Sequence, residues 1–287
     1  MYKIIFLLLI IFITAHITLN YVKNIQLYFP TKPTNKKYSK FFSKLSTLSE
    51  SPSNLTHRFL QTSDNYILDT VYLKNNSTDK LIIYFHGNTG NMCMYYDIIK
   101  LLYNFSSVII FDYRSYGRSS GDQRFLSEDS LQLDAQCIWA YAIQTLGYES
   151  STICLFAESI GCSVALSLVS NLSVLMKEEL YPMALILNYP IYSLGDLIRM
   201  NYPKFMGELL SRLIGLVGNE FNSSDLIQKI NLQTKVIITN DSREKNSMKL
   251  FTETSSWHPE IMFIDIDQDD YCLKLNDQYI YTLADIF

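Results

Sequence analysis

The sequence predicts an α/β fold, with a mostly parallel central sheet covered by helices on both faces and an N-terminal membrane helix before it. Three observations support this prediction. Short apolar runs alternate with segments of helical periodicity, which is the pattern of a parallel sheet. An uncharged apolar segment lies at the start of the chain. Hydrophobic residues make up 48% of the 287 residues and charged residues only 18%, which excludes a disordered chain.

The apolar segment spans residues 4–19 and contains no charge. A spanning helix needs about 20 apolar residues, and Tyr21 and Val22 extend the segment toward that length. A signal peptide also has such a region, so residues 1–22 are either a membrane anchor or a signal segment. No clear small-x-small cleavage site follows, which favours an uncleaved single-pass anchor that contacts the lipid bilayer through residues 4–22.

The side of the membrane that the domain faces stays open. Six lysines between Lys23 and Lys44 follow the segment, and the positive-inside rule would keep them in the cytosol. Seven N-x-S/T sequons, the first at Asn54, instead suit a lumenal domain. Residues 23–54 contain prolines, lysines and serines and are predicted to be a juxtamembrane tether. Residues 55–287 form the folded domain in this interpretation.

Strands are predicted where short apolar runs end at polar or turn residues. Asp64-Asn65 is a tight-turn pair between two such runs. The continuous apolar runs further along are typical of strands buried on both faces. In chain order the predicted strands are His57–Ser63, Tyr66–Leu73, Leu81–Phe85, Ser107–Phe111, Ile153–Phe156, Met183–Leu187, Lys235–Thr239 and Ile261–Ile266.

Helices are predicted between these strands, where apolar residues recur every three or four positions. In chain order the predicted helical segments are Met92–Tyr103, Asp129–Leu146, Ile160–Val169, Leu194–Leu216 and Gln278–Phe287. In such a fold the chemistry lies beyond the carboxyl ends of the strands. The residues that follow each strand are therefore the candidate site residues.

Ser159 is the candidate nucleophile. It follows the strand Ile153–Phe156 and precedes a helix, with Ala157 and Gly161 two positions away on either side. Small residues at these positions allow a sharp strand-to-helix turn that exposes the serine hydroxyl. The alternative is an ordinary turn of small residues.

The loop that follows Leu81–Phe85 reads His86-Gly-Asn-Thr-Gly-Asn91. A glycine-rich loop in this place can direct a backbone N–H at a developing oxyanion, and Asn88 is the candidate donor. The second donor would be the N–H of Ile160, directly after the nucleophile. A phosphate-binding loop is excluded because no Lys-Ser/Thr follows.

These motifs together resemble those of the α/β-hydrolase superfamily, and most closely those of its membrane-anchored α/β-hydrolase-domain branch. The resemblance is carried by HGNTGN at His86–Asn91, DYRSYGRSSG at Asp112–Gly121 and AESIG at Ala157–Gly161, and it runs from about Ile25 to the end of the chain. It implies a Ser-Asp-His triad and acyl ester, thioester or amide substrates. Ser159 matches the nucleophile, and Asn88 and Ile160 match the oxyanion donors.

The sequence departs from this family at the other two triad positions. Asp241 is the carboxylate nearest to the expected acid position, and it is either that acid or a plain turn aspartate. Gln268 stands where the resemblance implies a histidine, and an amide cannot take up and return the serine proton. His86 is a possible replacement base.

Two functions therefore stay open. The chain is either a membrane-anchored serine hydrolase for a small acyl substrate or a non-catalytic protein of the same fold that binds a ligand or a partner. The net charge of -4 gives no support for nucleic-acid binding, which needs clustered Lys and Arg. Five scattered cysteines, without a CxxC pair or a His/Cys cluster, suggest no zinc site. We expect no cofactor and no metal.

Overall fold

The structure is a computed structural model of the chain. It describes residues 2–49, 51–175, 181–215, 221–230, 234–240, 250, 252, 261–265, 283–284 and 286–287.

The central sheet has eight strands in the described part of the chain, in the order β10-β9-β8-β7-β4-β6-β3-β2. The strands from β10 to β6 are parallel to their neighbours, and β3 and β2 are added antiparallel at one edge. A separate pair, β1 and β5, is also parallel. The strands are β1 Phe29–Pro30, β2 Leu55–Gln61, β3 Ile67–Leu73, β4 Leu81–Phe85, β5 Thr89–Gly90, β6 Ser107–Phe111, β7 Ile153–Glu158, β8 Ala184–Asn188, β9 Lys235–Asn240 and β10 Ile261–Asp265.

Helices cover both faces of this sheet, so the predicted fold class is confirmed. The helices are α1 Tyr2–Leu27, α2 Asn35–Leu48, α3 Tyr96–Tyr103, α4 Glu128–Ala140, α5 Ile160–Leu175, α6 Leu194–Asn201, α7 Lys204–Gly215 and α8 Ser223–Ile227. One apolar cluster joins one face of the sheet to α4 and α5, and a second joins the other face to α2 and α3. The residues of β4, β6 and β8 are buried throughout, as their continuous apolar sequences predict.

Most element boundaries differ from the predictions by a few residues, and three predicted helical segments are interrupted. The segment Leu194–Leu216 forms two helices, α6 and α7, which Tyr202 and Pro203 separate. The long helix predicted from Asp129 to Leu146 ends as α4 at Ala140 and continues as a π-helical turn, Tyr141–Thr145. Met92–Met94 forms a 3-10 turn before α3 begins at Tyr96. The helix predicted over Gln278–Phe287 lies mostly outside the described residues.

Residues 23–54 are more structured than the tether that their composition suggests. The first helix continues to Leu27, β1 pairs with the loop after β4, and α2 is capped by the Thr34 side chain. Tyr38, Phe41 and Leu45 are buried on one side of α2, because they recur at helical spacing among the lysines and serines. This segment therefore packs on the domain. The division of the chain at residues 22 and 54 stays a prediction.

The first helix is long and apolar enough to cross a membrane over Ile5–Ile25, a stretch of 21 residues. Among the helices of the described residues, it is the only one that meets this test of length and composition. The side chains along most of its length are exposed, and burial begins near its end at Lys23 and Asn24.

Candidate active site

Ser159 lies at the junction between a strand and a helix. The strand β7 ends at Glu158 and α5 begins at Ile160. The backbone of Ser159 has φ 53°, in the left-handed region that non-glycine residues seldom adopt. Its N–H donates to the Asn188 carbonyl at 2.8 Å, and its carbonyl accepts from the Cys162 N–H at 3.0 Å. Such a conformation costs about 1–3 kcal/mol and persists only where its surroundings hold it.

Gly161 shows why the turn requires a small residue. A Cβ atom at this position would lie 2.3 Å from the Phe85 carbonyl oxygen and 2.7 Å from the His86 carbonyl oxygen. The first turn of α5 therefore passes directly over the end of β4. Ala157, on the other side of Ser159, is fully buried in the sheet.

The loop after β4 lies beside the serine. A Cβ atom added at Gly87 would be 3.7 Å from the Ser159 Cβ. The next residue, Asn88, is held by three hydrogen bonds to residues outside its own loop. Its carbonyl accepts from the Phe29 N–H at 2.9 Å and the Tyr116 hydroxyl at 2.8 Å, and its side-chain amide donates to the Leu27 carbonyl at 2.9 Å. The N–H groups of Asn88 and Ile160 donate to no carbonyl in the described part of the chain.

His86 is enclosed beneath this loop and does not contact Ser159. Its ring is fully buried and packs against Tyr95, Tyr113 and Tyr116. Its Nδ1 lies 2.7 Å from the Gly87 carbonyl oxygen. Its Nε2 has no hydrogen-bond partner among the described residues and lies 3.8 Å from the Asp112 Oδ1. Burial lowers the pKa of His86 to about 4, so the ring is neutral near pH 7.

No described imidazole forms a hydrogen bond with the Ser159 hydroxyl. The other histidine in the sheet, His57 on β2, contacts Asp69 at 2.6 Å and the Tyr38 hydroxyl at 3.0 Å. His86 is therefore not placed as a replacement base in this structure.

A half-buried carboxyl group lies directly before the nucleophile. Glu158 accepts a hydrogen bond from the Tyr84 hydroxyl at 2.7 Å, and burial raises the pKa of its carboxyl group. Sequence reasoning missed this residue. The available signal was a carboxylate at the last position of an otherwise apolar strand.

The sequence is similar to those of several known proteins. No protein-family model matches the sequence. An uncharacterized protein of Acanthamoeba polyphaga mimivirus is 44% identical over 279 residues, which cover 94% of this chain and 93% of that protein. Protein bem46 of Schizosaccharomyces pombe is 31% identical over 60% of this chain and 54% of its own length. An uncharacterized membrane protein of Saccharomyces cerevisiae is 26% identical over 65% of this chain and 61% of its own length.

Solved structures share the whole architecture. An alpha-beta hydrolase of Vibrio vulnificus aligns with TM-score 0.71 at 14% identity, over 91% of this chain and 97% of that one. An esterase of Pyrococcus furiosus aligns with TM-score 0.64 at 15% identity, over 91% of this chain and 96% of that one. The chain therefore has the α/β-hydrolase fold. The fold that the resemblance of the sequence motifs implies is thereby confirmed.

Polar and charged side chains, most of them buried, hold the loop that follows β6. Asp112 is fully buried, and its Oδ1 accepts the Met92 N–H at 2.6 Å. Arg114 donates to Asp134 and to Asp64, with nitrogen-to-oxygen distances of 2.7–3.0 Å. These side chains hold neighbouring loops together.

The carboxyl ends of β7, β8 and β9 lie side by side at one edge of the central sheet. Asn188 ends β8 beside Ser159, and the Thr239 hydroxyl on β9 donates to the Asn188 side chain. Asp241 follows β9 directly in the sequence. Asp241 and Gln268 lie outside the described residues, so their roles stay predictions. Within the described residues, no group of His, Cys, Asp or Glu side chains is arranged to hold a metal ion.

Proposed function

We propose that this α/β-hydrolase is a membrane-associated serine hydrolase that cleaves acyl esters or thioesters, with Ser159 as its nucleophile. The observation that carries the proposal is the left-handed backbone of Ser159 at the β7–α5 junction, next to the loop at Gly87. The similarity of the fold to esterases of Pyrococcus furiosus and Paenibacillus and the apolar helix α1 support it.

The reaction would begin with attack of the Ser159 hydroxyl oxygen on the acyl carbonyl carbon. The oxyanion that forms would accept hydrogen bonds from the N–H groups of Asn88 and Ile160, which have no carbonyl partner among the described residues. The alcohol or thiol would then leave, and water would release the acid from the acyl-serine. The Ser159 proton would pass to solvent water, and water would in turn protonate the leaving alcohol or thiol, because the amide of Gln268 at the expected imidazole position cannot take up or return a proton.

A second candidate function is ligand binding without catalysis. It is favoured by Gln268 and by the enclosed position of His86. Three tyrosines and the Gly87 carbonyl surround this ring, and its Nε2 lies 3.8 Å from the buried Asp112 Oδ1. Loss of a triad member in a working serine hydrolase lowers kcat by roughly 10⁴-fold or more, and the oxyanion donors retain only weak activity. A slow hydrolase and a binding protein therefore differ in their rate of ester hydrolysis, which can be measured.

The test is labelling of the full-length membrane-inserted protein with a fluorophosphonate probe, together with release of fatty acid from a water-soluble ester. We expect labelling and turnover in the wild type and neither in Ser159→Ala. The matched control is Ser163→Ala, because Ser163 lies in the first turn of α5, directly after the Ser159 junction, but is fully buried and hydrogen-bonded to Ser223. A wild-type protein that neither reacts with the probe nor releases acid would favour the binding function.

A further inference from the structure

Exposed apolar side chains surround the end of the first helix. Phe125 is 69% exposed in the 3-10 turn Gln123–Phe125, and Phe205 is 84% exposed at the start of α7. Met206 and Leu209 are exposed on the same helix. We call these four side chains the apolar collar. Large apolar groups clustered on a surface mark a contact with a membrane or another protein.

The collar is attached to the helix that is long enough to span a membrane. α1 contacts both the turn Gln123–Phe125 and α7. The Asn24 side-chain amide donates to the carbonyls of Arg124 at 3.0 Å and Leu126 at 2.8 Å. Phe125 is thus fixed beside the last turn of α1. Because the apolar stretch of that helix ends at Ile25, the collar lies where α1 would leave the hydrocarbon region.

The helix α7 has the composition of a helix that lies along a membrane surface. Its inner side buries Gly207, Ser211 and Ile214, and Phe205, Met206 and Leu209 face outward. Amphipathic helices with aromatic residues on one side bind in the plane of the lipid headgroups.

Charge on α7 does not oppose such contact. The exposed carboxylate of Glu208 is paired with Arg212 at 2.9 Å and with Arg199 at 3.1 Å. Arg199 also pairs with Asp196 at 3.2 Å, so this network holds two cations and two anions. Its charges are balanced and do not repel phosphate headgroups.

The same end of α1 holds the loop beside Ser159. The Leu27 carbonyl accepts the Asn88 side-chain amide, and β1 pairs with Thr89–Gly90. Gly87, the residue before Asn88, is the one that approaches the Ser159 Cβ. A short path of contacts through Asn88 and Gly87 therefore joins the candidate nucleophile to the end of α1, where the chain would leave the membrane.

We propose that the apolar collar inserts into the headgroup region of the leaflet that α1 enters, and that Ser159 takes its acyl chain from lipids of that leaflet. The part on the collar rests on membrane insertion of α1, and the part on the substrate rests also on the proposed hydrolase function. The partner of the collar is the bilayer, because the apolar side chains of the collar continue the apolar surface of α1.

The collar is tested by photocrosslinking in phosphatidylcholine vesicles that contain the full-length protein. A photoreactive phenylalanine analogue replaces Phe125, Phe205 or, as control, the exposed Ser77 in the turn before β4 at the opposite end of the strands. We expect phospholipid adducts at the first two positions and none at Ser77. Equal adducts at all three positions, or adducts only to protein at Phe125 and Phe205, would overturn the proposal. The result does not depend on catalysis.

The substrate is tested with Phe205→Ser, which lies outside the catalytic machinery. We expect hydrolysis of an acyl lipid in vesicles to fall about tenfold, because an exposed phenylalanine contributes on that order to partition into an apolar phase. Hydrolysis of a water-soluble short-chain ester should be unchanged. Equal loss on both esters would overturn the lipid substrate. A wild type inactive on both would instead refute the hydrolase function, while lipid adducts would still support the collar.

Discussion

Gly161→Ala is expected to destabilise the protein, because the new methyl group has no space. Its carbon would lie 2.3 Å from one backbone oxygen and 2.7 Å from another, well inside the ~3.5–4.0 Å optimum for non-bonded heavy atoms. Both oxygens belong to Phe85 and His86, at the end of the central strand β4, so they cannot move aside as a flexible side chain does. The helix α5 must shift instead.

The expected loss is about 1–3 kcal/mol of unfolding free energy, the range for overpacking in a well-packed core. The gain in helix propensity on replacing glycine by alanine, about 1 kcal/mol or less, opposes part of it. For a protein of this size each kcal/mol corresponds to roughly 2–4 °C in Tm. We therefore expect Tm to fall by roughly 2–10 °C, and fluorophosphonate labelling to fall as the turn at Ser159 moves.

The assay is thermal unfolding of the detergent-solubilised protein, followed by circular dichroism. The matched control is Gly215→Ala at the end of α7, where an added Cβ meets no atom within 4 Å. This control should be neutral or slightly stabilising. If Gly161→Ala melted at the same temperature as Gly215→Ala, the close approach of α5 to β4 would be wrong.

Three further predictions concern charge and catalysis. Arg114→Met should lower the unfolding free energy by about 3–5 kcal/mol, because it leaves the buried Asp134 carboxylate unpaired; the loss in urea titrations should be smaller at pH 5 than at pH 8, since protonated Asp134 needs no counter-charge. Burial lowers the pKa of His86 to about 4 in the folded protein, whereas the unfolded chain protonates this ring below about pH 6.5. Stability should therefore fall by about 3 kcal/mol from pH 6.5 to pH 4 through this group, and His86→Phe should flatten that decline. Gln268→His should raise the rate of Ser159 labelling at least about tenfold, as an imidazole base restores proton transfer; unchanged labelling would show that the acid partner is also missing.

The sheet strands were predictable because their signal is local. Ser107–Phe111 and Leu81–Phe85 are continuous apolar runs with polar residues on both sides, and the structure has them at the same bounds. The turn at Ser159 was predictable for the same reason, since Ala157 and Gly161 are specified by steric limits of the turn itself.

The contacts of the first fifty residues were not predictable, because they depend on distant partners. The apolar residues of α2 are outnumbered by lysines and serines, and their role is evident only once the sheet face that they cover exists. The strands β1 and β5 have two residues each, too few for any periodicity. The burial of His86 was not predictable for the same reason, because the three tyrosines that enclose its ring come from two later loops.

The pairing of β1 with β5 has a consequence for biosynthesis. Thr89, the partner of Phe29, is translated 60 residues later. At ~5–20 residues per second, the ribosome needs about 3–12 s to produce it. During that interval Leu27 and Tyr28, both buried in the finished protein, have no core to enter. A cell that makes this protein must keep these side chains away from other nascent chains for several seconds, and slow codons between positions 30 and 89 would prolong the exposure.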